Sequence, residues 1–477
     1  MDSNITTPGQ RKTTENFLEI KMRIARTLIL LAFMAAFATA HAEVGKIHKF
    51  RVYFTDKKES PFVKSKPEQF LSQKAIARRK KWHIKVDWYD LPVTPKYVSA
   101  VAATGAKVLC TSKWNNTALV SDSDATVADK IARLPFVKAV TNVYYGPASV
   151  SDSVPERYKV FRGEVGRSSN YYGDAWDQIN GIGGVRMHES GFLGQGMTIA
   201  IIDGGFLNAD TIPLLDNVRI LGTHNFVRPQ RSVFAEGDHG TCVLSCMGAN
   251  KPFQIVGTAP GASFWLLVSE DGYSETPSEE DTWAAAIEFA DSVGADVVNS
   301  SLGYNTFDDA SQNVRYTELD GKTHLVSRSA SLAASRGLLV CNSAGNAGDE
   351  AWKLIGIPAD ADNILTVGAM DRTDRNADFS SIGNTTDGRV KPDVMAMGVA
   401  DAVVRGNGRI GRASGTSFSS PVTAGMVACL MQALPSLKPV EIIRLLHSSS
   451  TRYNHPDNIF GYGIPDYYEA YRKGNGK

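Results

Sequence analysis

The feature that most constrains the fold is an alternation of short apolar segments with helical stretches after about residue 172. The apolar segments are residues 197–202, 263–268, 295–299, 337–341 and 364–367. Such alternation predicts a parallel sheet covered by helices on both faces. In open sheets of this kind, sites form beyond the carboxyl ends of the strands. We therefore expect one large α/β domain over residues 172–477, with its functional residues at that edge.

The preceding residues 43–146 have the pattern of a smaller α/β unit. Their pattern predicts a strand at 46–54, a short helix at 95–105 and a hairpin at 107–120 that turns at Asn115-Asn116. A helix at 124–134, opened by a capping Asp124, and a last strand at 136–145 follow. This order is consistent with a ferredoxin-like unit. The basic run Arg78-Arg79-Lys80-Lys81 is short and local, so we interpret it as a solvated helix end rather than a nucleic-acid contact.

Residues 147–171 turn polar and contain Pro147 and Pro155, which is typical of an exposed linker of the kind that proteases cut. The chain of 477 residues is 43% apolar and has 51 Lys and Arg against 50 Asp and Glu. A net charge of +1 provides no global field that would favour nucleic acid or an anionic membrane as a partner.

The N-terminus has the three parts of a secretory signal peptide. Arg23 and Arg26 form a positive flank, residues 27–38 an apolar stretch shorter than the ~20 residues of a membrane span, and Ala40-His41-Ala42 a small-x-small site. We expect cleavage after Ala42, which removes residues 1–42 and leaves no transmembrane anchor. The sequence predicts export, to the periplasm or the extracellular medium.

Both ends of the chain carry further expectations. Met22 directly precedes the basic flank and is an alternative start, and Glu43 rather than a cysteine follows the cleavage site, which argues against a lipid anchor. At the other end, a helix-like segment at 465–473 comes just before the C-terminus, so we expect no appended domain.

Five cysteines, which is an odd and sparse number, do not make a disulfide framework: Cys110, Cys242, Cys246, Cys341 and Cys429. Cys242 and Cys246 lie four residues apart on one predicted helix, but two ligands alone make a poor metal site. We interpret the cysteines as small buried hydrophobes.

Three segments place a reactive side chain at the boundary of an element. An apolar strand ends in Asp203 and is broken by two glycines. His239 opens a helix of small residues, in which Gly240 lets another segment of the chain approach closely. Ser417 follows Gly415 and leads into a small-residue helix whose Pro421 suits a first turn. At a helix start, free N–H groups favour a negative oxygen.

Each segment alone has a more ordinary interpretation. An acid at a strand end also binds ribose in dinucleotide-binding proteins, although no G-x-G-x-x-G precedes Asp203. A lone histidine such as His239 is by default a buried or capping residue, and a serine such as Ser417 is usually an N-cap. The combination of the three segments favours chemistry instead.

In this order the segments resemble the subtilisin-like (subtilase) family of serine peptidases. Three matches carry the reactive residues: Asp203-Gly, His239-Gly-Thr and Gly415-Thr-Ser417-x-x-x-Pro421. Four more lie between them: Gly257-Thr-Ala-Pro260-Gly-Ala262, Asn299-Ser-Ser-Leu-Gly303, Ser343-Ala-Gly-Asn346 and Ile357-Pro358-Ala. The resemblance covers about residues 172–470. Gly204 departs from it, because the family more often has Ser or Thr there, and we expect this to loosen the orientation of Asp203.

The resemblance implies a subtilisin-like parallel sheet sandwiched by helices and a peptide hydrolase with a catalytic triad. Ser417 would attack the scissile carbonyl, His239 would act as base and then as acid, and Asp203 would orient the imidazole. Asn346 would donate to the oxyanion together with the Ser417 N–H. The segment around Ser301 would pair with extended substrate. The walls and floor of a pocket for a bulky apolar side chain would be Ser301, Leu302, Gly303, Ser343, Ala344, Gly345 and Gly356.

The resemblance also gives residues 43–146 a role, as a propeptide that assists folding and occupies the cleft until autocleavage in the linker 147–171. It implies polypeptide substrates, no cofactor for the chemistry and a monomer. Calcium is possible but unsupported in the loop 304–322, whose acidic residues are more often only solvated: Asp308, Asp309, Glu318 and Asp320. Two alternatives stay open, an inactive protease-like binding module and an acid-acting relative with Glu as its base, against which His239 argues.

Overall fold

The fold is described from a computed structural model that places residues 45–148 and 167–476. The chain forms two compact units. The described residues of one unit are 45–46 and 146–148, in which the Ala148 N–H donates to the Gly45 carbonyl at 2.7 Å. The described residues of the other are 47–145 and 167–476. The predicted signal peptide and most of the predicted linker lie outside the described residues.

The elements of the described residues are numbered in chain order. The strands are Lys46–Phe54 (β1), Lys107–Ser112 (β2), Thr117–Asp122 (β3), Val137–Pro147 (β4), Thr198–Asp203 (β5), Arg219–Asn225 (β6), Asn250–Lys251 (β7), Ile255–Val256 (β8), Ser263–Val268 (β9), Val297–Ser300 (β10), Leu339–Ser343 (β11), Leu365–Met370 (β12), Val394–Met397 (β13), Asp401–Val404 (β14) and Ile410–Ala413 (β15). The α-helices are Gln73–Lys81 (α1), Pro95–Ala102 (α2), Val127–Ala132 (α3), Trp176–Asn180 (α4), Gly184–Glu189 (α5), His239–Gly248 (α6), Ser278–Val293 (α7), Leu325–Ser335 (α8), Thr416–Ala433 (α9), Pro439–Ser448 (α10) and Tyr467–Gly474 (α11).

The N-terminal sheet has the strand order β2-β3-β1-β4, in which β3 pairs antiparallel with both β1 and β2. This order, with α2 and α3 as its two helices, confirms the ferredoxin-like prediction. The predicted cap of the second helix is wrong. Helix α3 begins at Val127 after Thr126, and Asp124 instead accepts hydrogen bonds from the Thr126 N–H and hydroxyl in a turn ahead of the helix.

The basic run at the end of α1 is only half solvated, contrary to the prediction. Arg78 and Arg79 are 6% and 2% exposed and form ion pairs with Asp291 of α7, whereas Lys80 and Lys81 are exposed. The reason is helical geometry. Four consecutive residues turn through about 300° on an α-helix, so they must point to more than one face.

The large sheet has the strand order β13-β12-β11-β10-β5-β9-β6, and every neighbouring pair is parallel. The five predicted apolar segments lie on β5, β9, β10, β11 and β12. All six residues of β5 are buried, as expected for a strand covered on both faces. Because β5 lies between β9 and β10, its carboxyl end is at the point where the strand order reverses, which is the usual place for a site.

Alternate residues of β5 face two different apolar layers. Ile199 and Ile201 pack in a cluster with α6 and α9, while Ala200 and Ile202 pack in a cluster with α7 and α8. The prediction of a parallel sheet covered by helices on both faces is thereby confirmed. No helix in the two described ranges is long and apolar enough to span a membrane.

The cysteines agree with their interpretation as small apolar residues. All five are free thiols, of which Cys110 is half-buried and four are buried: Cys242, Cys246, Cys341 and Cys429. Burial raises the pKa of the Cys242 thiol to about 12, which keeps it neutral.

Candidate active site

Asp203 and His239 come together at the carboxyl end of β5. Asp203 is the last residue of β5 and fully buried, and His239 is the first residue of α6 with 42% of its side chain exposed. The His239 Nδ1 lies 2.9 Å from Oδ1 and 3.0 Å from Oδ2 of Asp203. The Asp203 charge raises the pKa of His239 against the effect of burial. Because a carboxylate only accepts hydrogen bonds, the neutral imidazole carries its proton on Nδ1, and Nε2 is left as an acceptor.

Two glycines next to this pair have structural roles. The Gly204 N–H donates to Asp203 Oδ1 at 2.8 Å, so the backbone supplies a donor to the carboxylate at the position where the family more often has a hydroxyl residue. At Gly240, an added Cβ would lie 2.3 Å from the Gly205 carbonyl oxygen and 2.8 Å from the Phe206 ring. This confirms that Gly240 permits the close approach of another chain segment.

Ser417 lies in the first turn of α9, which begins at Thr416 after Gly415. The N–H groups of a first turn have no partner within the helix. The Ser417 Oγ donates to the Ser301 carbonyl at 3.4 Å, and among the described residues it forms no hydrogen bond with His239. The imidazole nevertheless lies beside this turn, since its ring centroid is 5.9 Å from that of Phe418.

Pro421 is in the interior of α9, at its sixth residue, and the prediction of a first-turn position is wrong. Proline has no N–H to donate to the carbonyl four residues earlier, which belongs to Ser417. The Ser301 Oγ donates to this carbonyl instead, at 2.9 Å. Ser301 and Ser417 are therefore joined by two hydrogen bonds, each from the hydroxyl of one to the carbonyl of the other.

Asn346 follows the end of β11 and contacts the start of α9. Its Oδ1 accepts hydrogen bonds from the Thr416 N–H and the Thr416 hydroxyl, both at 2.9 Å. These two donors identify the oxygen end of the amide. The Nδ2 has no partner within the described part of the chain, and a Cβ on Gly415 would lie 3.5 Å from it. A free N–H donor is thus held beside the backbone that leads into Ser417.

A cavity of about 400 Å³ opens next to Ser417 and Asn346. Six of the seven predicted pocket residues line it: Ser301, Leu302, Gly303, Ser343, Gly345 and Gly356. Ala344 does not. It is fully buried, and its carbonyl accepts from the Gly356 N–H at 3.4 Å. Side chains alternate in direction along an extended segment, so Ala344 points away from the cavity that Ser343 faces.

Acidic residues also line this cavity, and sequence reasoning missed them. Glu270 and Glu275 come from the loop after β9, and the Tyr304 hydroxyl donates to Glu270 Oε1 at 2.5 Å. Burial raises the pKa of Glu270 to about 8 and that of Glu275 to about 7. Glutamates in a loop are usually solvated, but this loop follows a strand adjacent to β5, which was a signal that its residues lie at the site.

The acidic residues of the loop 304–322 accept hydrogen bonds, three of them from groups of nearby residues and Asp308 from the loop after β9. Their partners are the Glu275 N–H for Asp308, Ser311 for Asp309, Arg315 for Glu318, and the Lys322 and Thr323 N–H groups for Asp320. No group of three or more His, Cys, Asp or Glu side chains in the described ranges has the arrangement of a metal site.

The sequence of the chain is similar to those of known proteins. The family model described as "Subtilase family" matches residues 194–463, more than half of the chain. The chain belongs to the subtilase family. The resemblance predicted from the motifs is confirmed. A second model, "Peptidase S8 propeptide domain, Bacteroidota", matches residues 49–156. The region of residues 49–156 in this subtilase is therefore a propeptide domain.

Several relatives extend this similarity. The chain is 29% identical over 281 residues to Subtilisin NAT of Bacillus subtilis subsp. natto, and 30% identical over 300 residues to Serine protease AprX of Bacillus subtilis (strain 168). The matches cover 58% and 57% of this chain, and the chain spans 65% of the length of each relative. Fervidolysin from Fervidobacterium pennivorans, a keratinolytic enzyme related to subtilisin, has 21% identity and a TM-score of 0.59, covering 89% of this chain and 61% of its own. That similarity shows a shared fold.

Proposed function

We propose that this subtilase is an exported serine endopeptidase, made as a zymogen, with Asp203, His239 and Ser417 as its catalytic triad. The observation that carries the proposal is the pairing of His239 with Asp203 beside the helix turn that contains Ser417. The domains would be a signal peptide at 1–42, a propeptide at 43–146, an activation linker at 147–171 and a catalytic domain at 172–477.

The proposed reaction begins when the Ser417 hydroxyl leaves the Ser301 carbonyl and turns toward Nε2 of His239. Nε2 takes the hydroxyl proton as Oγ forms a bond to the scissile carbonyl carbon. The imidazolium, stabilised by Asp203, then gives this proton to the leaving amine as the C–N bond breaks. Water repeats the sequence to release the acyl group from Ser417. The triad chemistry uses no cofactor.

The tetrahedral intermediate would place its negative oxygen between two donors, the Asn346 Nδ2 and the Ser417 N–H. The Nδ2 is already oriented, because Thr416 holds the other end of the amide. The Ser417 N–H belongs to a first helical turn, where the helix dipole also favours negative charge. Donors that are fixed before the reaction need no reorganisation in the transition state.

We propose polypeptide substrates with a bulky apolar residue before the cut bond. Glycines and serines form much of the cavity wall and leave room for such a side chain. Burial keeps Glu270 largely protonated at neutral pH, since its pKa is about 8, and Glu275 about half protonated, since its pKa is about 7. Together these two acids add about one negative charge to the lining. A cleavage profile on a peptide library would test the preference, and a requirement for a basic residue before the cut bond would contradict it.

The catalytic assignment is tested with a fluorophosphonate probe on the purified, processed protein. We expect labelling of the wild type and loss of labelling in Ser417→Ala. Ser414→Ala is a matched control, because it removes an exposed hydroxyl three residues away. Labelling that persists in Ser417→Ala would refute the nucleophile. Failure of the processed wild type to label would favour an inactive binding module instead.

Export and zymogen character are supported by separate features. The N-terminal residues have the charge and apolar pattern of a signal peptide. The propeptide match covers residues 49–156, and β4 leads directly into the linker. Cell fractionation with compartment markers tests export, and recovery of the protein in the cytoplasm would overturn it.

A further inference from the structure

Ser381 lies in the connection between β12 and β13, beside the loop that carries Asn346. Two hydrogen bonds join it to this loop. The Ser381 N–H donates to the Gly345 carbonyl at 3.0 Å, and the Ala347 N–H donates to the Ser381 Oγ at 3.0 Å. One serine therefore holds the residue before Asn346 and the residue after it.

The Ser381 side chain also packs closely against this loop. It is 1% exposed, although it lines the cavity next to Ser417. Gly345 has a φ of +110°, which favours glycine, and a Cβ added there would lie 2.9 Å from the Ser381 Oγ. Only a residue without a side chain leaves room for the hydroxyl at this distance. The hydroxyl is thus confined beside the Ala347 N–H.

Thr416 restrains Asn346 in a different way. It holds the amide oxygen through two hydrogen bonds, and its hydroxyl accepts from the Gly345 N–H at 3.2 Å. These bonds set the direction of the amide. The position of the Nδ2 depends as well on the backbone from which the side chain extends. Ser381 supplies this second restraint, because its two bonds are to the backbone on either side of Asn346.

Loss of the Ser381 hydroxyl would leave the Ala347 N–H without its acceptor at a buried position. A buried backbone donor without an acceptor is unfavourable, so the loop would shift toward another partner. Catalytic donors act only when they are held close to the productive geometry, and a displacement of about 1 Å can cost about 10²-fold in rate. The Asn346 Nδ2 would move with the loop and lose part of its effect.

We propose that Ser381 is a positioning residue for the oxyanion donor. It fixes the backbone on both sides of Asn346, so that the Nδ2 meets the developing negative oxygen without rearrangement of the loop. Ser381 acts through Asn346 and not on the reacting atoms. This role rests on the proposed function, in which Asn346 donates to the oxyanion.

The neighbouring Ser380 provides a matched control. It is also 1% exposed, and its hydroxyl accepts a backbone N–H at 3.0 Å, from Ala369 of β12. Ser380→Ala therefore removes the same kind of bond at the same burial, but on the side of the sheet and not of the loop. The Ala377 N–H still donates to the Ala369 carbonyl at 3.0 Å, so the segment stays attached to β12 in this variant.

The test is steady-state kinetics on the processed enzyme and its variants. We expect Ser381→Ala to lower kcat about tenfold and to change KM much less, because the displaced donor acts on charge that develops in the transition state. The loss is smaller than that expected for Asn346→Leu, since Thr416 still holds the amide oxygen. Ser380→Ala should keep the kcat of the wild type.

Urea unfolding separates this effect from a loss of stability. In the Ser417→Ala background, which prevents self-digestion, Ser381→Ala and Ser380→Ala should lower the unfolding midpoint by similar amounts, because each leaves one buried N–H without its acceptor. A structural role alone would then predict the same kcat for both variants. An equal fall of kcat in Ser380→Ala and Ser381→Ala would overturn the proposal.

A double-mutant cycle shows whether Ser381 acts through Asn346. In the Asn346→Leu background the donor is already absent, so Ser381→Ala should change kcat by less than about twofold. A further tenfold loss in that background would overturn the proposal, as would an unchanged kcat for Ser381→Ala alone. If Asn346→Leu itself left kcat unchanged, the oxyanion donor of the proposed function would be refuted, and the positioning role with it.

If Ser381→Ala does not fold, Ser381→Cys replaces it in each comparison. A thiol has nearly the shape of the hydroxyl but is a weaker acceptor for the Ala347 N–H, so a fall in kcat of at least about threefold is then expected. Full turnover by this variant would show that the bond from Ala347 does not position Asn346.

Discussion

Asn346 and Thr416 are joined by two hydrogen bonds of 2.9 Å, which run from the Thr416 N–H and hydroxyl to the Asn346 side-chain oxygen. The contact couples the loop after β11 to the start of α9. It fixes the direction of the amide, so that the Nδ2 is available as a donor without further ordering.

Replacement of Asn346 by leucine should therefore lower kcat by about 10²–10³ and change KM much less, because the lost donor acts on charge that develops in the transition state. Steady-state kinetics on the processed enzyme measures this. Asn346→Asp keeps the shape and replaces the donor with an acceptor, so it should be at least as impaired. Full turnover by this variant would show that the Nδ2 does not stabilise the oxyanion.

The pairing of Asp203 with His239 predicts the acid limb of the pH profile. Asp203 raises the pKa of His239 above the ordinary value of 6.5, and only the neutral imidazole can accept the Ser417 proton. We expect kcat/KM to be half-maximal above about pH 6.5 and to fall about tenfold per pH unit below that point. Measurement of kcat/KM from pH 4 to 9 checks this, and full activity at pH 4 would point to a carboxylate base.

Asp203→Asn tests whether the Asp203 charge sets the pKa of His239. Loss of the charge should move the acid limb to lower pH, and loss of the correct tautomer should lower kcat by about 10⁴. An unfolded variant would have no residual activity with a shifted pH dependence of kcat/KM, so this shift distinguishes loss of the charge from loss of the fold. An unchanged acid limb would mean that Asp203 does not set the protonation of His239.

Ser417→Ala should accumulate as an uncut form that retains the propeptide, since the proposed zymogen processes itself. Mass spectrometry of the protein expressed in a host that lacks its own processing protease detects this form. Ser414→Ala should be processed normally. Normal processing of Ser417→Ala would show that another protease makes the cut.

Short sequence patterns were sufficient to predict most of the fold. The buried strand β5 has six consecutive buried residues, and Gly240 and Gly415 occupy positions where a chain must approach closely or turn, so these features can be read from short windows of sequence. The pairing of Asp203 with His239 was predicted from the resemblance to the subtilase family, and the rule that sites form at the carboxyl ends of parallel strands placed only Asp203 at that edge.

Contacts between distant residues were beyond this reasoning. Arg79 is buried because it meets Asp291, which is 212 positions away, and no local pattern distinguishes it from the exposed Lys80. Pro421 lies inside α9, where Ser301, which follows another strand, donates to the carbonyl that proline leaves unpaired. Burial of Glu270 depends in the same way on Tyr304. In each case a tertiary partner reverses the preference of the residue.

Asp401, the first residue of β14, provides a prediction about stability. It is fully buried, and neither carboxyl oxygen has a hydrogen-bond partner in another of the described residues. Burial raises its pKa from 3.8 to about 8, and Arg412 offsets this only in part. Between these two pH values the native state holds a proton that the unfolded chain has lost. The free energy of unfolding therefore decreases as the pH rises through this range.

Asp401→Asn should remove this dependence, because the amide resembles the protonated carboxyl and does not ionise. We expect the variant to match the parent protein near pH 4 and to gain on it by about 1.4 kcal/mol per pH unit toward pH 8, because a difference of one pKa unit corresponds to about 1.4 kcal/mol. Urea unfolding at several pH values measures the difference, in the Ser417→Ala background to prevent self-digestion. The exposed Asp378→Asn serves as the control for loss of one negative charge. Equal pH dependence in Asp401→Asn and the parent would mean that Asp401 is ionised and compensated in the native protein.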